Sequence, residues 1–223
     1  MKKIYFSLIA MLFVVAAATA QTVVPVAPGT GTLQAAIDGV ALEDRSNTIF
    51  ELQRGGEYLQ EGTIGNDDFN LTIVAEDGSG PRPILRIVDG EEDDPFQSRN
   101  VLTLKGLYID GTTNDGLDKK RIITVKDPTE AVILEDCHLD DCSLAAIKIQ
   151  SDSTEIRLTN CIISNIANEI SLEGAGYAFQ DQSAMGGIII AKNTSFYNIL
   201  TNIIFDKNAP ESFKSQVEFD HCT

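Results

Sequence analysis

Tryptophan is absent from the 223 residues, histidine occurs twice and cysteine four times, and these shortages narrow the chemistry before any motif is read. His138 and His221 are too far apart in sequence to form a short-spaced metal-binding pair, and no Gly-x-Ser-x-Gly elbow is present. Serine and cysteine hydrolase mechanisms are therefore disfavoured. Basic side chains are also scarce, 17 against 33 acidic, for a formal net charge of −16. A surface of that sign repels nucleic acid and anionic lipid headgroups, so neither is expected as a partner. Helical periodicity is nearly missing too, which argues against an array of paired helices.

One apolar run stands at the start. Met1 to Ala20 carries two lysines, then apolar and small residues from Ile4 to Ala18 broken only by Ser7, and ends Ala18-Thr19-Ala20 before Gln21. This is the pattern of a bacterial secretory signal peptide with an A-x-A cleavage site, and the run is too short to be a membrane span. No cysteine follows the cleavage site to carry a lipid. Export removes Lys2 and Lys3 and leaves 15 basic against 33 acidic side chains, a net charge near −18. The mature chain, from residue 21 to 223, is expected to be a secreted, cell-surface or periplasmic monomer. Its acidic coat serves solubility, or suits a cation-rich setting or bound calcium.

From Val101 onward a short pattern recurs five times. The segments VLTLKGLYID, AVILEDCHLD, EIRLTNCIIS, GIIIAKNTSF and QVEFDHCT align so that Gly106, Asp136, Asn160, Asn193 and His221 share a column, at spacings of 30, 24, 33 and 28 residues. Apolar residues stand two and four positions before that column, and one and three after it. This is alternation, a step, and alternation again: two short strands joined by a bend at residues that tolerate left-handed backbone angles. A third strand is read from the alternating pairs Ile123 and Val125, Ile147 and Ile149, and Ile203 and Phe205. Three strands per 24 to 33 residues, each with one inward apolar stripe, predict an all-β, right-handed parallel β-helix whose coils bury a core only by stacking. Alternation and β-branched enrichment exclude the competing helical repeat.

Earlier parts of the chain are less regular. Leu33, Ala36, Ile37 and Val40 recur at helical spacing within 29–40, with Thr30 or Thr32 as N-cap, and a short helix there would cover the first coil. Irregular coils are expected over 48–100 and regular ones over 101–223. The order of the TLQAAI helix, a strand ending in a Gly-Glu-Tyr turn and the LTIVAEDG strand resembles the amino-terminal part of pectate-lyase-like parallel β-helix proteins. It is most similar to the branch of alginate- and chondroitin-cleaving lyases and their exported relatives. The resemblance implies a groove over the first strand of each coil, and an extracellular polysaccharide as partner. In those lyases a calcium ion, or a Lys and Arg pair, performs the chemistry, and no stretch here matches those motifs.

On the strand that would floor the groove, the outward positions are read as Thr124, Lys148 and Ile204, then Lys126, Gln150 and Asp206. Lys126 and Lys148 can neutralise a sugar carboxylate, and Asp206 can bind a cation or move a proton. These three are the candidate catalytic residues. Gln150, Tyr177 and Phe179 are candidate substrate-binding residues, the two aromatics lying in the irregular stretch 166–187 and able to stack on sugar rings. The acidic loop with Asp89, Glu91, Glu92, Asp93 and Asp94 is either solvated or a calcium site, calcium being the one candidate cofactor. In 110–118 the EF-hand-like spacing fails, because Asp115 stands where glycine is needed. Binding or lyase-type processing of an acidic glycan is one functional reading; a non-catalytic adhesion or spacer module is the alternative.

Two further expectations follow from the alignment. Cys137, Cys161 and Cys222 occupy one inward column with Thr194 between the last two, and Cys142 lies outside it. Coils repeat at about 4.8 Å, and side chains in one column point the same way, so all four thiols are expected to be free despite the oxidising compartment. Gln216 to Thr223 begins a coil with nothing to cover it, which predicts further coils beyond Thr223.

Overall fold

The computed structural model describes residues 21–88, 94–112, 120–167, 176–207 and 214–223. The expected leader, 1–20, lies outside them. After β1 (Thr22–Val26) and β2 (Gly29–Thr30) come two short helices, α1 (Thr32–Asp38) and α2 (Leu42–Arg45). The chain then cycles through three strands per coil. The first coils are β3 (Thr48–Leu52), β4 (Glu57–Gln60) and β5 (Ile64–Gly65), then β6 (Leu71–Ala75), β7 (Ile84–Ile87) and β8 (Phe96–Ser98). The regular ones are β9 (Leu102–Lys105), β10 (Tyr108–Asp110) and β11 (Arg121–Val125), then β12 (Ala131–Glu135), β13 (His138–Cys142) and β14 (Ala145–Ile149). They continue with β15 (Glu155–Thr159), β16 (Ile162–Ile166) and β17 (Tyr177–Asp181), then β18 (Ile188–Lys192), β19 (Ser195–Ile199) and β20 (Asn202–Asp206), and β21 (Gln216–Asp220) opens the next.

Like strands of successive coils pair in parallel into three sheets. Sheet A runs β1-β3-β6-β9-β12-β15-β18-β21, sheet B β2-β4-β7-β10-β13-β16-β19 and sheet C β5-β8-β11-β14-β17-β20. This is the parallel β-helix that the repeat predicts, and in sheet A the register is the predicted one. Val132 pairs with Leu102 and Ile156, and Leu134 with Leu104 and Leu158. The step between sheets A and B is left-handed at every repeat: Gly106, Asp136, Asn160, Asn193 and His221 have φ of 71°, 53°, 55°, 49° and 51°. A single residue at positive φ turns the chain through the corner without breaking either ladder, and asparagine, aspartate and glycine reach that region at least cost. At Gly106 the corner is also tight, since a Cβ there would stand 3.0 Å from the Ala75 Cβ.

The inward stripes of the three sheets form one continuous core. α1 covers its first end with Leu33 and Ile37 fully buried. The helix is shorter than the apolar spacing suggests. Gly29 and Thr30 pair with Tyr58 and Leu59 as a strand, so neither expected threonine is the N-cap, and left-handed Gly31 takes that place. All four cysteines are free. The three in the column each donate Sγ–H to a carbonyl one coil back, Cys137 to Leu104 at 3.3 Å, Cys161 to Leu134 at 3.4 Å and Cys222 to Ala191 at 3.3 Å. Burial pushes the Cys137 thiol up to about 12 and raises Cys161 as well, so both are protonated and unreactive at neutral pH.

Sheet C contains the one error of register. The stretch 166–187 holds a full third strand, β17, which adds a strand to the sheet. β17 pairs Phe179 with Ile204 and Asp181 with Asp206, so Ile204 and Asp206 face inward. The pair expected inward, Ile203 and Phe205, is instead exposed. Three successive apolar residues, Ile203 to Phe205, allow either frame, and the strand takes the one that buries Asp206. Its carboxylate is held there by the Lys214 and Ser215 N–H groups at 2.8 and 3.1 Å. An inward aspartate of this kind cannot be read from apolar alternation.

Candidate functional site

The outer face of sheet C is where the expected groove residues are to be tested. Its central column is Gln97, Thr124, Lys148, Gln180 and Phe205, fixed by strand pairing across five coils. The next outward column follows from the bonds just past each strand. Lys126 N–H donates to Ser98 O, Gln150 N–H to Val125 O, Gln182 N–H to Ile149 O and Lys207 N–H to Asp181 O. Lys126, Lys148 and Gln150 therefore share one face, as expected. Asp206 does not: it is 3 % exposed and points into the core, and Lys207 stands where it was expected. It is neither a cation ligand nor a proton carrier on this face.

The aromatic expectation is also corrected. Phe179 is fully buried and meets Phe196 edge-on, with ring centroids 6.0 Å apart, so it is core. Tyr177 is 5 % exposed and lies under Phe205, centroids 4.9 Å apart and planes 24° from parallel. Phe205 is the ring that reaches the surface. Sequence reasoning placed Phe205 inward through the frame error in β20, and missed Gln180 because it skipped β17, for which the alternating YAFQD segment was the available signal.

Cations gather on this face of an acidic protein. Lys126, Lys148 and Lys207 lie in the two columns, and Arg121 begins β11. Asp94 faces them, and its carboxylate accepts a short hydrogen bond from the Thr124 hydroxyl. Burial raises the Asp94 carboxyl above the usual carboxylate range, while the Thr124 bond and then Arg121, Lys148 and Lys126 pull it back. Burial likewise pushes the Lys148 ammonium below its ordinary value, with Arg121 and Lys126 acting in the same direction and Asp94 against it. Among the described residues, two buried polar atoms here have no hydrogen-bond partner, Arg121 Nε and Gln180 Oε1. Buried groups in that state are uncommon in folded proteins.

The expected calcium loop is represented by Asp94 alone; Asp89, Glu91, Glu92 and Asp93 lie outside the described residues. Asp94 accepts from Thr124 and has Arg121, Lys148 and Lys126 as charged neighbours. Among the described residues no group of three or more His, Cys, Asp or Glu side chains could hold a metal ion.

Sheet B carries a second polar cluster that the sequence did not signal. Asp140, 7 % exposed, accepts hydrogen bonds from Tyr108 Oη at 2.8 Å, Ser164 Oγ at 2.5 Å and Asn165 Nδ2 at 2.8 Å. His138 Nε2 stands 2.7 Å from the Ser164 hydroxyl. One coil back, Arg86 binds the buried Asp110 carboxylate through Nε and Nη2 at 3.1 and 2.5 Å. Asp141, Asn165 and Asn198 add a second left-handed column within this sheet, at φ of 52°, 55° and 52°.

No protein-family model and no curated protein matches the sequence. Among solved structures the fold resembles that of the PL6-family alginate lyase AlyGC, with a TM-score of 0.50 and 14% sequence identity over 91% of this chain. This chain spans 40% of the length of that one. At that identity the likeness concerns the fold. No helix among the described residues is long and apolar enough to cross a membrane.

Proposed function

We propose that this protein is an extracellular polysaccharide-binding β-helix whose outer sheet-C face takes an acidic glycan. The observation that carries the reading is the collection of Arg121, Lys126, Lys148 and Lys207 on that face in a chain of net charge −16. A cationic strip on an acidic surface selects an anionic ligand by charge. Its columns repeat at about 4.8 Å, so a long chain can lie along it, with the Phe205 ring at one end. Arg121 Nε supplies a donor and Gln180 Oε1 an acceptor that a hydroxylated chain would satisfy. A lysine held below its ordinary pKa beside two further cations also suits lyase chemistry. Neighbouring cations screen a uronate carboxylate and acidify its α-hydrogen; the uncharged fraction of Lys148 takes that proton, the ring double bond forms as the bond to the glycosidic oxygen breaks, and water protonates the leaving oxygen.

A solved structure of similar fold is an alginate lyase, which makes alginate the first probe, followed by pectin and chondroitin sulfate. Binding at low salt is expected to weaken by about tenfold or more in the Lys126→Ala/Lys148→Ala double variant, and to lose much of its salt dependence. Ultraviolet absorbance of the unsaturated product reads elimination in the same samples. Equal binding by wild type and double variant would remove this face as the site. Binding without absorbance change would leave a non-catalytic module.

A further inference from the structure

Sheet B presents a second surface of different character. Ile84, Tyr108 and His138 occupy one outward column on three successive coils. With Pro81 and Arg82 they line a cavity of about 260 Å³. The Tyr108 and His138 rings lie 4.9 Å apart at 44° to each other. Both are fixed from one side by the same carboxylate, Tyr108 directly through Asp140 and His138 through Ser164. Because Ser164 gives its proton to Asp140, His138 Nε2 must be the donor to Ser164 Oγ. That leaves Nδ1 as an acceptor with no partner among the described residues. Burial lowers the His138 pKa, with Arg82 acting the same way and Asp140 and Asp110 opposing, so the ring is neutral at physiological pH.

The charge balance of this cavity differs from that of sheet C. Arg82 donates Nε to Asp136 O at 2.8 Å and Nη2 to its carboxylate at 2.6 Å, so the fork that would grip an anion is occupied. Asp110, Asp136 and Asp140 stand close by and oppose any second anion. What remains is an apolar floor of Pro81 and Ile84, two rigid rings, the ring acceptor at His138 and Arg82 Nη1, which has no hydrogen-bond partner among the described residues. That combination matches a small cyclic molecule with an apolar face and a hydroxylated edge.

We propose that this concavity is a carbohydrate subsite for an uncharged pyranose unit, stacked on Tyr108 and His138 and hydrogen-bonded to Arg82 and the imidazole. It is separate from the acidic-glycan face and does not depend on it. Aromatic platforms of this kind act by preorganisation: two half-buried rings held by hydrogen bonds lose little freedom when a ligand arrives. A nucleotide fits poorly, because its phosphates would meet the three aspartates.

The test is a nuclear magnetic resonance titration of the full chain with cellohexaose and mannohexaose, with polymannuronate as the charged probe. A neutral hexaose is expected to shift the His138 ring and Tyr108 signals, and Tyr108→Ala is expected to weaken that binding about tenfold. Lys148→Ala should leave it unchanged, which separates this site from sheet C. Should Tyr108→Ala fail to fold, Ile84→Asn removes the apolar floor and is expected to give the same loss. Silence of the His138 ring towards both neutral probes overturns the proposal. So does a stronger response there to polymannuronate, or neutral binding that survives both substitutions.

Discussion

The outer faces of sheets B and C are made from the same coils, a few residues apart in sequence, yet they treat polar groups in opposite ways. On sheet B, Asp140 takes three donors and Asp110 is chelated by Arg86, so each buried charge is answered from within the protein. On sheet C, Arg121 Nε and Gln180 Oε1 are without partners among the described residues, and Asp94 and Lys148 are both pushed by burial towards their neutral forms. A self-satisfied face stabilises the fold and offers shape. The other face holds charged groups against burial and stabilises the fold less.

The sharpest way to break that comparison is to remove the shared acceptor of sheet B. Asp140→Ala leaves the Tyr108 hydroxyl, the Ser164 hydroxyl and the Asn165 amide without their acceptor, and is expected to cost about 3 kcal/mol in urea denaturation. On sheet C, Lys148→Ala is expected to change stability by less than about 0.5 kcal/mol, because it removes a cation that burial already disfavours. Its effect should appear in glycan binding. If the two substitutions cost the same in stability, the distinction between the faces is lost.

Acid sharpens the same contrast. His138 titrates lower in the fold than in the unfolded chain, so between the unfolded value, about 6.5, and the folded one the unfolded state binds the extra proton. Stability is therefore full above that window and falls as pH drops through it. His138→Gln should flatten this part of the pH profile. A profile identical to wild type would mean that the imidazole is not held neutral by its surroundings.

How much of this was legible follows from which interactions leave a pattern. The corner column from Gly106 to His221 and the inward Leu, Ile and Val stripes repeat at every coil, and repetition carried the fold, the register and the free thiols. Lys126, Lys148 and Gln150 were placed together because they lie on the strands where alternation is cleanest. Phe205 and Asp206 were exchanged because Ile203, Ile204 and Phe205 are apolar in either frame, and buried Asp206 depends on N–H groups eight and nine residues later. The Tyr108, His138, Asp140 and Ser164 cluster left no sequence signal at all. Its members lie up to 56 residues apart, and only stacking of three coils brings them together.

The smallest expected effect is also the one that decides whether sheet C gives up stability for function. Asp94 has a raised pKa in the fold, with burial the largest cause and Thr124, Arg121, Lys148 and Lys126 only partly offsetting it. At neutral pH the carboxylate is charged in both the folded and unfolded chains, and the folded one holds it at a net cost. As pH falls through the folded value, the folded state binds the proton first, so wild-type stability rises until the unfolded value near 3.9 is reached. Asp94→Asn keeps an acceptor for the Thr124 hydroxyl and removes the charge. It is expected to be slightly more stable than wild type at pH 7, with the advantage shrinking as pH falls through that window in parallel urea titrations. If the variant is less stable at pH 7, attraction from Arg121, Lys148 and Lys126 outweighs burial. Sheet C would then be as self-satisfied as sheet B, and its cations would be a structural set answered by Asp94.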